Sequence, residues 1–139
     1  MSETAEKRPV VLVIDDDEAN RKLLNVLLRR EGIHPLVFER GEEGLSRLRE
    51  ETPDLILLDV FLPGQDGFQI LKRIKSNPKT ADVPVVMFTV LGREKSRRRA
   101  LEMGACAYVT KPFDMNHAVA LIRDLLSGER TCAENRAVP

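Results

Sequence analysis

The sequence predicts an α/β fold: a doubly wound, five-stranded parallel sheet with helices on both faces. Five short apolar runs, at 10–14, 33–38, 55–58, 83–88 and 107–110, alternate with five stretches of helical periodicity, as repeated strand-to-helix crossovers require. The run Leu55-Ile-Leu-Leu58 is unbroken, opened by Pro53 and closed by Pro63-Gly64 and Asp66-Gly67, which describes a strand buried on both faces, as in a parallel sheet. Four runs end in a polar or charged side chain, respectively Asp15, Asp59, Thr89 and Lys111. In open parallel sheets that carboxyl end is where ligands bind.

Taken in order, Val10–Ile14 forms the first strand, with the acidic mouth Asp15-Asp16-Asp17-Glu18 behind it. Leu23, Leu24, Leu27 and Leu28 set a helix over 19–31, with acids at its start and Gly32 past its end. Ile33–Phe38 contains Pro35, which cannot donate to a ladder and so predicts an edge strand. Gly41–Glu51 is a weaker helix, because Gly44 costs about 1 kcal/mol relative to Ala. Phe68, Ile70, Leu71 and Ile74 mark a third helix that fades at Asn77-Pro78. Val83–Phe88 is the fourth strand, and 92–103 a basic helix carrying Arg93, Lys95, Arg97, Arg98 and Arg99, with Gly104 as its cap. Ala107–Thr110 is the fifth strand, and Ala118, Leu121, Ile122 and Leu125 trace a last helix that Gly128 ends. Right-handed crossovers and Pro35 at an edge give the order 2-1-3-4-5, a flavodoxin-like three-layer sandwich. Residues 1–8 are expected to be a flexible amino terminus, 9–128 the domain, and 129–139 a flexible tail or linker stub.

Composition narrows the function classes. Twenty-two basic against twenty-two acidic side chains argue against bulk electrostatic binding to nucleic acid or a membrane surface. Neither an apolar signal segment nor a membrane span stands in the sequence, which predicts a cytoplasmic protein. Cys106 and Cys132 have no metal-ligand spacing and read as incidental thiols. His34 and His117 lack any partner in sequence and are assigned no chemistry.

The predicted topology makes strands one and three neighbours and brings Asp15, Asp16, Asp59, Thr89 and Lys111 to one rim. Carboxylates gathered at one point repel unless a hard divalent cation takes the excess charge, and Mg²⁺ suits a few carboxylates beside a phosphate oxygen. Asp59 is then a nucleophile able to accept a phosphoryl group as an acyl phosphate, with Lys111 and the Thr89 hydroxyl meeting its oxygens.

In Val-Ile-Asp15-Asp16, Leu-Leu-Asp59 with Leu62-Pro63-Gly64 and Asp66-Gly67, Phe88-Thr89, Gly104-Ala105, and Tyr108 with Lys111-Pro112-Phe113, the chain resembles the receiver domain of bacterial response regulators over roughly residues 9–128. The resemblance implies Asp59 as phosphoacceptor, and a metal held by Asp16 directly, Asp15 through water, Asp59 and the Phe61 backbone carbonyl. Magnesium is the expected ion, or Mn²⁺ in its place. It further implies Thr89 and Lys111 as phosphoryl-binding groups, Tyr108 as a rotamer switch that turns inward on phosphorylation, and a cis Lys111-Pro112 bond. The implied partners are a sensor histidine kinase or histidine phosphotransfer protein, then a homodimer or downstream protein on the face of the fourth helix, fifth strand and fifth helix. The domain itself would bind neither nucleic acid nor membrane, and it would be a phosphoacceptor rather than an enzyme.

The chain departs from the family pattern at Val90, where a small residue is usual, so a narrower pocket mouth and a constrained Tyr108 are expected. Phe61 and Leu91 are both large and apolar where they flank the path of water to the phosphoryl group, so restricted hydrolysis is expected. Two other functions compete with this reading. A phosphohydrolase resembling the haloacid dehalogenase group would use the Asp15-x-Asp17 spacing, but Glu18-Ala19 follows it and no acidic metal pair follows Lys111. A phosphorylation-independent interaction module would not need the intact Asp, Thr and Lys set. Asp17 and Glu18 read as acids attracted to a helix start, and Arg97-Arg98-Arg99 as a solvated helix face.

Overall fold

The computed structural model describes residues 8–112 and 114–132. Expectations for the amino terminus before residue 8, for Phe113 and for residues 133–139 therefore lie outside the described residues. In chain order the elements are β1 Val10–Ile14, α1 Glu18–Arg30, β2 His34–Phe38, α2 Gly41–Glu50, β3 Leu55–Leu58, α3 Gly67–Ser76, β4 Val85–Thr89, α4 Glu94–Glu102, β5 Ala107–Thr110 and α5 Met115–Ser127. Between β3 and α3, Phe61–Leu62 pairs antiparallel with Gln65–Asp66 as a small hairpin. The five main strands are parallel in the order 2-1-3-4-5, with Pro35 on the edge strand.

Period-two alternation divides each central strand between two cores. From β1, Leu12 and Ile14 join Leu58, Met87, Leu45, Leu71, Ile74 and Ala100, so α2, α3 and α4 cover one face. Val11 and Val13 join Leu57, Val86, Phe88, Leu24, Leu28 and Ile122 under α1 and α5. Leu12, Ile14, Ile56, Leu58 and Met87 are fully buried. Each such aliphatic side chain contributes about 1.5–3 kcal/mol of burial, which is what two-sided coverage of a parallel sheet provides.

Boundaries differ from the sequence expectation where backbone partners are taken elsewhere. Ile33 is not in β2 because its N–H bonds Leu28 O at 2.9 Å, closing α1. Gly32 makes that turn with φ 78°, a conformation a side chain disfavours. β4 starts at Val85 because Pro84 offers no N–H. α4 starts at Glu94 rather than Gly92, since Arg93 before it is extended. α5 starts earlier than its apolar stripe, at Met115, capped by the Asp114 carboxylate accepting from Asn116 N. Gly44, a propensity penalty in sequence, is a packing requirement in space: a Cβ there would fall 2.8 Å from Ile14 Cγ1, so its absence lets α2 lie on β1.

The incidental-thiol expectation is corrected. Cys106 and Cys132 form a disulfide, with Cα atoms 4.7 Å apart across 26 residues. Their separation in sequence carried no signal, because the proximity is made by α5 returning to the start of β5. Among the described residues no helix is long and apolar enough to cross a membrane.

Candidate functional site

Strand register sets the site. Asp59 N donates to Ile14 O (3.0 Å), so the end of β3 is tied to the end of β1, while Lys111 N donates to Thr89 O (2.7 Å), tying β5 to β4. Asp15, Asp59 and Thr89 are buried at these ends, and Asp16 is exposed beside them. Lys111 Nζ lies 3.0 Å from Asp15 Oδ2 and 2.9 Å from Asp59 Oδ2, bridging two carboxylates far apart in sequence. Such charge-assisted bonds are the strong ones. Its ammonium also stands 5.0 Å from the Phe88 ring centroid.

The remaining carboxylate oxygens are held as well. Asp59 Oδ1 accepts from Phe61 N at 3.1 Å. Asp15 Oδ1 accepts from Asp17 N (3.0 Å), and Asp15 Oδ2 from Asn20 Nδ2 (3.2 Å). Arg21 Nη1 donates to the Asp15 carbonyl at 2.8 Å. Asn20 and Arg21 escaped the sequence reading because they are ordinary first-turn residues of α1, and only the fold of 15–21 brings them back over Asp15. Asp17 caps α1 through Ala19 N, as expected of an acid at a helix start.

Asp15, Asp16 and Asp59 each offer an oxygen within 4.8 Å of the others. One ammonium does not balance three carboxylates, and oxygen donors of this charge and spacing fit a hard divalent cation. Burial pushes the Asp59 carboxyl above its ordinary range, against the opposing pull of the Lys111 bond and the Phe61 amide. Burial draws the Lys111 ammonium down, but its bonds to Asp59 and Asp15 outweigh that and leave it raised. Burial, and then the Asp59 charge, raise the Tyr108 phenol.

The Tyr108 ring is half-buried against the α2–α4 core, and its hydroxyl donates to Leu91 O at 2.6 Å. A backbone carbonyl thus supplies the partner that a part-buried phenol hydroxyl needs. Thr89 Oγ1 accepts from Leu91 N at 3.2 Å. Thr89 and Tyr108 thus hold the two backbone poles of one residue, a link invisible to periodicity and composition. Val90, beside this pair, is 64% exposed.

Gly67 is a second omission. It was legible only as a turn residue, yet its N–H bonds Val60 O at 2.7 Å and a Cβ would sit 2.6 Å from Val60 Cα and closer still to Asp59 O. Backbone cannot yield there as a side-chain tip can. Gly67→Ala is expected to destabilise the fold by about 3 kcal/mol or more and to displace Asp59. Urea unfolding checks it, and a midpoint within experimental error of the parent would disprove the close-approach role. The Lys111-Pro112 peptide is cis, as the resemblance implied.

A family model described as response regulator receiver domain matches residues 11–123. The phosphate regulon transcriptional regulatory protein PhoB of Escherichia coli K12 is 40% identical over 116 residues, covering 84% of this chain and 51% of PhoB. The chain thus spans about half the length of the curated relatives it matches. A two-component response regulator from Clostridium difficile superposes with a TM-score of 0.82 at 27% identity, covering 89% of this chain and 100% of that one. The Mn²⁺-bound form of response regulator Rcp1 superposes at 0.72 with 26% identity, covering 86% and 92%.

Proposed function

This chain belongs to the response regulator receiver domains of two-component systems, and from that premise we propose that Asp59 accepts a phosphoryl group from a phosphohistidine on a sensor histidine kinase or histidine phosphotransfer protein. A carboxylate oxygen of Asp59 forms the new P–O bond as the P–N bond to the imidazole breaks, and the imidazole leaves with the electron pair. The observation that carries this reading is the Lys111 ammonium bridging Asp59 and Asp15, a cation placed where phosphoryl oxygens would arrive. Asp15, Asp16, Asp59 and the Phe61 carbonyl would hold Mg²⁺, or Mn²⁺ as in the solved Rcp1 form. When bound, the cation supplies charge neutralisation and Lewis-acid polarisation of the phosphoryl group. Acetyl phosphate is expected to add one phosphoryl group to the intact chain in a Mg²⁺-dependent way. An equal mass gain in EDTA would overturn the assignment.

The chain's own residues also supply the switch. A phosphoryl oxygen accepting from the Thr89 hydroxyl would draw Oγ1 toward Asp59 and away from Leu91 N, and Tyr108 would read that change through Leu91 O. The face of α4, β5 and α5 is the surface we assign to a downstream protein or a second copy, with the domain at 9–128 placed in the cytoplasm. The chain acts as a phosphoacceptor that assists its own modification, not as an enzyme with turnover. Beryllofluoride should change amide exchange within 89–110, most at Leu91 and around Tyr108. Unchanged exchange from Gly92 to Leu126 would favour a phosphorylation-independent interaction module.

A further inference from the structure

At the end of the sheet opposite the acidic mouth, Cys106 enters β5 with its N–H bonded to Val85 O at 2.7 Å and its side chain fully buried. Its disulfide partner, Cys132, follows α5 and is half-buried. The chain is turned toward Cys106 by noncovalent means as well. Gly128 takes φ 84° at the end of α5, Arg130 N bonds back to Asp124 O at 3.2 Å, and Glu129 N to Ser127 Oγ at 3.3 Å. The turn thus prearranges the two sulfurs, lowering the entropy that closing a 26-residue loop would cost. Tyr108, Lys111 and all of α5 lie inside that covalent loop.

We propose that Cys106–Cys132 is a thiol–disulfide exchange site that clamps the end of α5 to the start of β5, with a dithiol as its co-reactant. A thiolate of the dithiol attacks the more accessible Cys132 sulfur. That forms a mixed disulfide as the Cys106–Cys132 bond breaks, and Cys106 leaves with the electron pair and takes a proton. The second thiol of the reagent attacks its own bonded sulfur, releasing a cyclic disulfide and the Cys132 thiolate, which is protonated in turn. The cysteine pair gains two electrons in all, one at each sulfur, and the dithiol loses two. Re-closure needs a disulfide oxidant such as oxidised glutathione. The reaction loosens the segment from Leu121 to Cys132 while leaving Asp59, at the opposite end of the sheet, in place.

The test uses the full chain equilibrated in mixtures of reduced and oxidised dithiothreitol, acid-quenched and alkylated under denaturing conditions. The oxidised form should resist alkylation at both cysteines and be lighter by two hydrogen atoms before labelling. Reduction should lower Tm by on the order of 10 °C and raise amide exchange in 121–132, with the rate of phosphorylation by acetyl phosphate changed less than about twofold. Cys132→Ser should reproduce the reduced chain's Tm and ignore the reductant. The proposal is overturned if both cysteines remain alkylatable after treatment with oxidised glutathione, or if exchange in 121–132 is the same in both redox states. It is also overturned if Cys132→Ser still responds to dithiothreitol.

Discussion

Asp59→Asn is expected to abolish phosphoryl acceptance and, without metal, to raise the melting temperature. The first effect follows from chemistry: an amide oxygen is a far poorer nucleophile than a carboxylate, and no other buried carboxylate stands at the carboxyl end of β3. The second follows from burial. Desolvation holds the Asp59 carboxyl above its ordinary value of 3.8 despite the Lys111 and Phe61 bonds, so ionising it costs the folded chain more than the unfolded one. The sign is that of an acid with a raised folded pKa. The penalty is absent below the unfolded value, where the group is protonated in both states, and complete once the pH has risen through the folded one. Relieving it should raise Tm by a few degrees, the scale of a single buried polar group. Lys111 keeps Asp15 as a partner in the variant, so the substitution does not strand an ammonium. Scanning calorimetry in EDTA at pH 7 and pH 4 separates the two cases, with a gain expected at the higher pH that shrinks at the lower. A phosphoryl mass increment that survives in the variant would remove Asp59 from its role, and an unchanged or lowered Tm at pH 7 would remove the electrostatic account of its burial.

How legible the site was depended on whether each residue carried its signal in its own neighbourhood. Asp15, Asp59, Thr89 and Lys111 each close an apolar run, and the order of the strands follows from crossover handedness and Pro35, so their convergence could be read from sequence. Asn20, Arg21 and Gly67 could not, because what distinguishes them is distance to backbone atoms of other segments, which composition and periodicity do not encode. The Leu91 backbone, held by Thr89 and Tyr108 together, is a three-body arrangement of the same kind. The disulfide failed for a different reason: thiol pairing is set by where α5 ends in space. The start of α4 was misplaced by two residues, and the apolar stripe of α5 left its first turn unmarked, because side-chain periodicity marks the buried face whereas the first turn is decided by backbone geometry and capping.

The lifetime of the phosphorylated state is expected to be long, and Phe61 and Leu91 are the cause. Both side chains line one groove of about 560 Å³, shared with Gln65, Ser96 and Arg99 and flanking the end of β3. Hydrolysis of the acyl phosphate needs a water positioned in line with the leaving Asp59 oxygen, and neither a phenyl nor an isobutyl group can hold one by a hydrogen bond. The structure divides the work between them unequally. Phe61 is 50% exposed, so its ring shields the approach from the hairpin side without sealing it. Leu91 is half-buried, its side chain packed against the core and its backbone held at both poles, by Thr89 Oγ1 at 3.2 Å and Tyr108 Oη at 2.6 Å, so it obstructs more than the exposed ring does. One positioning hydrogen bond is worth about 1–1.5 kcal/mol, close to the roughly 1.4 kcal/mol that corresponds to a tenfold change in rate. Leu91→Glu or Leu91→Lys should therefore speed dephosphorylation about tenfold, and Phe61→Asn by less, because its ring obstructs less. The measurement is loss of phosphate from Asp59 at saturating Mg²⁺ after removal of the donor. Variants that lose phosphate no faster than the parent would show that water reaches the phosphoryl group by a route these two side chains do not control.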